Sequence, residues 1–411
     1  MNNDNIKRWN QCILEKALKT RRIIVVSGAR QCGKSTLIDM YFDGRVEIRS
    51  LDSRRLREAA LLDPQSFVRN DGESPMVIDE IQKAPGLLSE IKLAVDRNRR
   101  PGQYVITGSS DVYSFPDSDE SLAGRVKNIR MRTFAQGELR GVDPLFLQRL
   151  FANDFSVKCQ ECDKRSVLEL AFRGGYPEVV SLSAEDRPEW FRDYLRALFS
   201  KDIKDDERIR RQQALHDLLK AVAAWSSKFA DTDKIQSACG LSRTAYREYL
   251  AVLERYYLCE RVEAWTGTDY ARIGKRPKWY MCDTGLMASV LNWRARDIEL
   301  DPDKSGKIVE TFVFTELAAQ VDLSGGYTLY HYRDIDKREI DFIIENADGD
   351  LAGIEVKAGS GVGKDDFRHL AWFRDHLAKG RRFVGIVVYS GRDVLSFGNG
   401  MLAVPLSAFW S

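Results

Sequence analysis

Between residues 28 and 35 the chain reads Gly28-Ala29-Arg30-Gln31-Cys32-Gly33-Lys34-Ser35, followed by Thr36. Two glycines with four residues between them, closed by Lys and Ser, let successive backbone N–H groups face phosphate oxygens. The lysine then reaches the β and γ phosphates and the hydroxyl faces magnesium. The flanks suit this use. The β-branched run Ile23-Ile24-Val25-Val26 enters the loop as a buried strand, and residues 34 to 41 leave it as a helix. Gly28, Ala29, Arg30, Gln31, Cys32, Gly33, Lys34, Ser35 and Thr36 are therefore the expected phosphate-binding set. Cys32 is read as a small filler of the loop, with a reactive thiolate at the helix start as the alternative.

The pattern of strand and helix then repeats. Val46-Glu47-Ile48 begins a second strand, Met76-Val77-Ile78 a third that ends on Asp79-Glu80, and Tyr104-Val105-Ile106-Thr107 a fourth that ends on Gly108-Ser109-Ser110, with a helix over residues 87 to 97. Alternation of this kind predicts an α/β fold with a doubly wound parallel sheet and chemistry at its C-terminal strand ends. An acidic residue closing a neighbouring strand holds magnesium and a second polarises the attacking water, roles that fall to Asp79 and Glu80. Thr107 and Ser109 would contact the γ phosphate or place water, or else cap the strand. Ser121-Leu122-Ala123-Gly124-Arg125 brings an arginine after a small-residue helix end. Arg125 is the candidate to stabilise charge on the transferred phosphoryl group, in its own chain or a neighbouring subunit, against the plain alternative of a solvated arginine.

A chain of 411 residues exceeds one domain of about 150, and four segments are expected: 1–142, 143–225, 226–300 and 301–411. Lys plus Arg number 63 against 61 Asp plus Glu, so any surface for a polyanion must be local. No apolar run nears the roughly 20 residues that span a bilayer, and the start Met1-Asn2-Asn3-Asp4 lacks a basic region before an apolar core. No membrane association and a cytoplasmic location are the expectations. Seven cysteines, an odd number, suit reduced thiols. Cys159 and Cys162 form a CxxC pair without a second such pair, and an exposed polar turn is expected there rather than zinc.

Residues 145 to 225 read as a helical lid or connector, interrupted by Arg173-Gly174-Gly175-Tyr176-Pro177. Two short helical patterns follow, separated by Cys239-Gly240-Leu241-Ser242, where glycine suits a sharp turn and serine a cap. Strand-like Arg261-Val262-Glu263-Ala264-Trp265 and Lys278-Trp279-Tyr280-Met281 would complete a wing. Arg243 and Arg247 share one helix face, and Lys275, Arg276 and Lys278 crowd the wing, so DNA phosphates would meet these five residues. Such a module also docks proteins, and a protein partner is the alternative.

In the last segment, Asp341 lies in the strand Glu339-Ile340-Asp341-Phe342-Ile343-Ile344. Glu355 and Lys357 share one face of Gly353-Ile354-Glu355-Val356-Lys357, because alternate strand residues do. Glu310, on the preceding helix, can join them. Converging carboxylates with a lysine are what magnesium-assisted phosphodiester hydrolysis needs, and a surface hairpin with an ordinary Glu/Lys pair is the alternative. Gly361-Val362-Gly363-Lys364 is too short for a second phosphate loop.

Residues 1 to about 225 resemble the AAA+ class of P-loop ATPases. The likeness is carried by the Walker A loop, Val77-Ile78-Asp79-Glu80, Ile106-Thr107-Gly108-Ser109, Gly124-Arg125 and Arg173-Gly174-Gly175-Tyr176-Pro177-Glu178. The set is similar to a prokaryotic branch that joins the ATPase to a winged helix and a nuclease-like domain. The C-terminal residues resemble the PD-(D/E)xK nucleases, although Ile340 stands before Asp341 in place of proline. The resemblance implies an AAA+ sheet with helical lid, a winged helix and a PD-(D/E)xK-like α/β domain. It further implies ATP and Mg2+ as cofactors and a second divalent metal on Glu310, Asp341 and Glu355, with Lys357 orienting the nucleophile. DNA is the implied partner, and a homo-oligomer is compatible with Arg125 acting in trans. The expected function is an ATPase that couples nucleotide to DNA binding and metal-dependent cleavage, in DNA processing or defence. The alternative is an ATP-gated DNA- or protein-binding switch that cuts nothing.

Overall fold

Five parallel strands carry the phosphate loop in the computed structural model, which describes residues 6–110, 124–204 and 208–411. They are β1 (Ile23–Ser27), β2 (Glu47–Ser50), β3 (Met76–Asp79), β4 (Tyr104–Gly108) and β5 (Val126–Arg130), in the order β2-β3-β4-β1-β5. Every residue of β1 and β4 is buried, which is why both read as unbroken apolar runs. Around them lie α1 (Asn10–Thr20), α2 (Lys34–Phe42), α3 (Arg54–Leu62) and α4 (Leu87–Arg97). One core gathers Ile23, Val25, Ile78 and Ile106 of the sheet with Ile91 and Val95 of α4. The register pairs Ser27 with both Gly108 and Arg130, and Ser50 with Asp79. The loop, Asp79 and the end of β4 therefore come to one sheet edge. The strand β5 carried no clear signal in the sequence, and Ser121-Leu122-Ala123 lies outside the described residues.

The chain divides into two compact units: Met1–Thr133 with Arg255–Tyr257, and Phe134–Glu254 with Leu258–Ser411. The segments expected at 143–225, 226–300 and 301–411 fall almost entirely within the second of these units. Its helices include α5 (Lys164–Arg173), α6 (Thr232–Cys239), α7 (Arg243–Arg255), α8 (Thr284–Val290), α9 (Pro302–Ser324) and α10 (Arg368–His376). Its strands are β6 (Cys259–Ala264), β7 (Lys278–Met281), β8 (Tyr327–Arg333), β9 (Glu339–Asn346), β10 (Leu351–Lys357), β11 (Phe383–Tyr389), β12 (Leu395–Gly398) and β13 (Met401–Pro405). They build one mixed sheet in the order β12-β13-β11-β10-β9-β8-β6-β7.

The turn between α6 and α7 forms as the residues suggest. Gly240 takes a left-handed φ of 60°, and the Ser242 hydroxyl accepts from the Ala245 N–H at 3.2 Å. The expected wing, however, is no separate hairpin. β6 pairs antiparallel with β7 and parallel with β8, placing Glu263 opposite Tyr330 and Ala264 opposite His331. Val262, Ala264 and Tyr280 are buried, and strands with an apolar face are drawn into a sheet that covers them.

The long helix α9 supplies much of this unit's core. Asp301 caps it by accepting from Asp303 and Lys304 N–H groups, Pro302 opens its first turn, and Gly325 at φ 61° ends it. Its Phe312, Phe314 and Leu317 join Ile344, Ile354, Ile386 and Trp410. Cys159 and Cys162 lie in the same core, only 7% and 6% exposed, so the expected exposed turn is corrected to a buried one. Burial pushes the Cys162 thiol up to about 11. The Arg173-Gly174-Gly175 interruption is a docking point for Asp283: Gly175 N–H donates to its Oδ2 at 2.8 Å and Leu286 N–H to its Oδ1 at 2.9 Å. Among the described residues no helix is long and apolar enough to cross a membrane.

Candidate functional site

Gln31 and Gly33 adopt left-handed φ values of 61° and 99°, which turn the chain back on itself before α2. No side chain caps α2, so its first-turn N–H groups remain for an anion. Gly28 admits no substitute, since a Cβ there would stand 2.1 Å from the Met131 carbonyl oxygen. Cys32 is fully buried, its Sγ 3.5 Å from the same oxygen, which fits a packed filler. Arg8 donates to the carbonyls of Cys32 at 3.1 Å and Arg132 at 2.5 Å, tying the loop to the chain after β5. Nothing in the sequence around Arg8 signalled that tie.

Lys34 is 5% exposed and its ammonium donates to the Gly28 and Ala29 carbonyls, both at 2.9 Å. Arg30 is half-buried, whereas Gln31, Ser35 and Thr36 are exposed. Three hydroxyls converge on Asp79. Ser35 donates to Oδ1 at 3.4 Å, Thr107 to the same oxygen, and Ser50 to Oδ2 at 3.3 Å. A hydroxyl and a carboxylate side by side are hard oxygen donors of the kind magnesium takes, so Ser35 and Asp79 fit that ion beside nucleotide phosphates.

Glu80 follows at once, with a left-handed φ of 61° that is costly for a residue bearing a Cβ. Its N–H donates to Thr107 Oγ1 at 3.2 Å, and its Oε2 accepts from Ser109 Oγ at 3.0 Å. The Gln82 amide donates to Glu80 Oε2 and, at 2.7 Å, to Ser109 Oγ. Gln82 and Ser50 were not foreseen; only their distance from strand ends could have marked them.

Arg125 does not reach this site within its own chain. Its carbonyl accepts from the Ile23 N–H at 3.3 Å, at the start of β1 and so at the sheet edge opposite the loop. Its guanidinium grips Asp96 of α4 at two points, 2.6 and 2.9 Å. That pairing holds the Asp96 carboxyl below the usual range. Partnership with Asp96 thus replaces the expected in-chain role at the phosphates.

In the second unit, the cluster predicted from sequence forms around a residue assigned elsewhere. Lys278 was expected to meet DNA from a wing, yet it is fully buried. Its Nζ lies 2.7 Å from Glu310 Oε1, 3.0 Å from Glu339 Oε1 and 3.3 Å from Asp341 Oδ1. The Tyr280 hydroxyl donates to Glu310 Oε1 at 2.8 Å, and the Val356 N–H to Asp341 Oδ2 at 3.0 Å. Burial and then Asp341 push Glu310 up to about 7, against the pull of Lys278. Burial and Asp341 likewise raise the Glu355 carboxyl well above its ordinary value. Burial opposes the charge on Lys278, but Glu310 and its neighbours hold the ammonium protonated.

Lys357 stands apart, 44% exposed and paired with Asp366 at 2.7 Å, so it is not turned to the cluster as expected. Lys278 thus contacts two of the three carboxylates expected to hold a metal, Glu310 and Asp341, together with Glu339 beside them. Among the described residues no group of three or more His, Cys, Asp or Glu is set to hold a metal ion. Arg243, Arg247, Lys275 and Arg276 are exposed, as a phosphate contact requires.

Three family models match successive stretches of the chain. Residues 20–140 match a family model described as an AAA domain, residues 164–297 the domain of unknown function DUF8612, and residues 305–409 the domain of unknown function DUF4143. The chain is 26% identical over 398 residues to the uncharacterized protein Rv2008c of Mycobacterium tuberculosis and, equally, to the uncharacterized protein Mb2031c of Mycobacterium bovis. Each alignment covers 95% of this chain and 82% of the relative. Among solved structures, the Walker-type ATPase PABY2304 of Pyrococcus abyssi is 14% identical with a TM-score of 0.44, over 70% of this chain and 97% of that one. AMPPCP-bound DnaA from Aquifex aeolicus is 14% identical with a TM-score of 0.28, over 75% and 92%. The first unit is an AAA-type P-loop ATPase domain, and it supports an ATP-dependent activity. The final segment carries a DUF4143 domain.

Proposed function

We propose that the protein is a magnesium-dependent ATPase whose nucleotide state governs DNA binding by the second unit, without cleavage. The observation that carries this reading is the strand end at Asp79 and Glu80. Asp79 gathers Ser35 and Thr107, while the adjacent Glu80 is braced by Ser109 and Gln82. The N–H groups of the loop and Lys34, released from the Gly28 and Ala29 carbonyls, would neutralise the β and γ phosphates. Magnesium held at Ser35 and Asp79 would supply further positive charge to the phosphate oxygens. Glu80 would polarise the attacking water, and Ser109 and Gln82 would keep its carboxylate aimed.

The exposed Arg243 and Arg247, one helical turn apart on α7, and the exposed Lys275 and Arg276 support duplex phosphates as the ligand. Cleavage is left out because Lys278 fills the carboxylate cluster. DNA processing or defence is the role in which we place such an ATP-driven hold on DNA.

The test measures ATP hydrolysis with and without duplex DNA, and DNA affinity by fluorescence anisotropy with ADP or a non-hydrolysable ATP analogue. Lys34→Ala should abolish both turnover and the nucleotide effect on affinity. Arg243→Ala with Arg247→Ala should weaken DNA binding and lower the log–log salt slope by about two. Binding indifferent to both changes would sink the DNA reading and leave a protein as the partner.

A further inference from the structure

Lys278 reaches the carboxylate cluster from β7, the last strand of the second sheet, with its ammonium 5.6 Å from the Phe229 ring centre and 5.8 Å from that of Tyr280. A buried ammonium is tolerated only where its charge and its three N–H donors are met. Here three carboxylate oxygens, from Glu310, Glu339 and Asp341, lie within 3.3 Å. The number of acceptors equals the number of donors. Tyr280 OH and Val356 N–H take further lone pairs of Glu310 and Asp341. Glu310 Oε1, Glu339 Oε1 and both oxygens of Asp341 are thus already committed.

The geometry points to Lys278 as the resident cation of this cluster, standing where a divalent ion would otherwise be held. The C-terminal unit is on that account a metal-excluding, non-cleaving form of the arrangement its sequence resembles.

Magnesium or manganese needs the same oxygens at roughly 2.0–2.2 Å from a common centre. The ammonium sits at that centre, and a second cation could enter only by expelling it from beneath the aromatic rings. A lysine that orients a nucleophile would have to sit beside the metal with a path to water. Lys357, the one placed for that by sequence, is committed to Asp366 instead. Both lysines therefore differ from the hydrolytic arrangement, one by filling the centre and the other by leaving it.

This inference deepens the non-cleaving part of the proposed function and is independent of ATP turnover in the first unit. The experiment titrates Mn2+ into the nucleotide-free, EDTA-treated full chain, with free Mn2+ read by electron paramagnetic resonance. It compares wild type, Lys278→Ala, Lys278→Ala with Asp341→Ala, and Asp341→Ala alone. The wild type should show no Mn2+ site that depends on Asp341. Lys278→Ala should gain one, at least about tenfold tighter than any wild-type site, and lose it when Asp341 is also removed.

Asp341-dependent Mn2+ binding by the wild type would overturn the inference. So would a folded Lys278→Ala chain that gains no site. If Lys278→Ala does not fold, Lys278→Met, an uncharged side chain of similar length, takes its place with the same expected outcomes. ATP turnover by the wild type, measured in parallel, separates this outcome from failure of the ATPase reading.

Discussion

The Ser109 hydroxyl lies 3.0 Å from Glu80 Oε2, and the Gln82 amide holds both. In the proposed function Glu80 polarises the attacking water, a task that requires its carboxylate to be aimed, and Ser109 and Gln82 are the groups that would aim it. Gln82→Ala should lower kcat about ten- to a hundredfold with little change in KM, since a misplacement of about 1 Å costs on that order. Glu80→Gln should remove about a hundredfold or more while ATP still binds. Steady-state kinetics beside equilibrium ATP binding separates the two effects, and an unchanged kcat in Gln82→Ala would show that the brace is idle.

Arg125 and Asp96 pair at the sheet edge opposite the phosphate loop. Arg125→Ala should therefore lower the melting temperature slightly and leave turnover by a dilute, single-chain preparation as it was. Both partners are about a third exposed or less, and a pair so close to solvent is screened, so the stability loss is small. Turnover per subunit that rises with subunit concentration in the wild type, and fails to rise in Arg125→Ala, would instead place Arg125 at a neighbouring subunit's site.

Gly174 takes a φ of 74°, and a Cβ there would sit 2.4 Å from Asp283 Oδ1. Gly174→Ala meets both a conformational penalty and a collision with a buried carboxylate that caps α8. The expected cost is about 1–3 kcal/mol, read as a loss of denaturant resistance in the second unit. Unchanged unfolding would mean that the Asp283 cap is slack.

Glu316 is 1% exposed and accepts the Gln136 N–H on both oxygens, at 3.0 and 3.2 Å. Burial raises its carboxyl to about 8, against the Gln136 bond that lowers it. The folded state therefore keeps a proton that the unfolded chain loses above its ordinary value of 4.5. Because the folded form binds more protons in that window, stability falls as pH rises from about 4.5 to about 8 and levels off beyond. Glu316→Gln, which has no charge to form, should gain on wild type across that window by an amount on the order of a few kcal/mol. Thermal unfolding at pH 5 and pH 8 checks the sign, and parallel curves would refute it.

The local chemistry of the first unit was legible along the chain. Ile23-Ile24-Val25-Val26, the glycine spacing and the Asp79-Glu80 strand end are short-range features, in which neighbours in sequence are neighbours in space. The turn at Gly240 and Ser242 and the cap at Asp301 belong to the same kind, because backbone conformation and capping are decided within a few residues. The carboxylates Glu310, Asp341 and Glu355 could also be picked out by strand alternation and the neighbouring helix.

What held them could not be read in that way. Lys278 lies in a basic stretch beside Lys275 and Arg276, and all three carry the same charge. Only the parallel pairing of β6 with β8 brings β7 onto the sheet edge and buries one of the three among Glu310, Glu339 and Asp341, while the other two stay exposed. Arg125 likewise followed a plausible motif, and only the register of β5 on β1 set it at the wrong end of the sheet for the phosphates. Residue types and short spacings thus determined which groups could do chemistry in this protein. Which charge faces which was decided by strand pairing over dozens of residues, because burial leaves an ionic group no solvent and makes its partner a matter of fold.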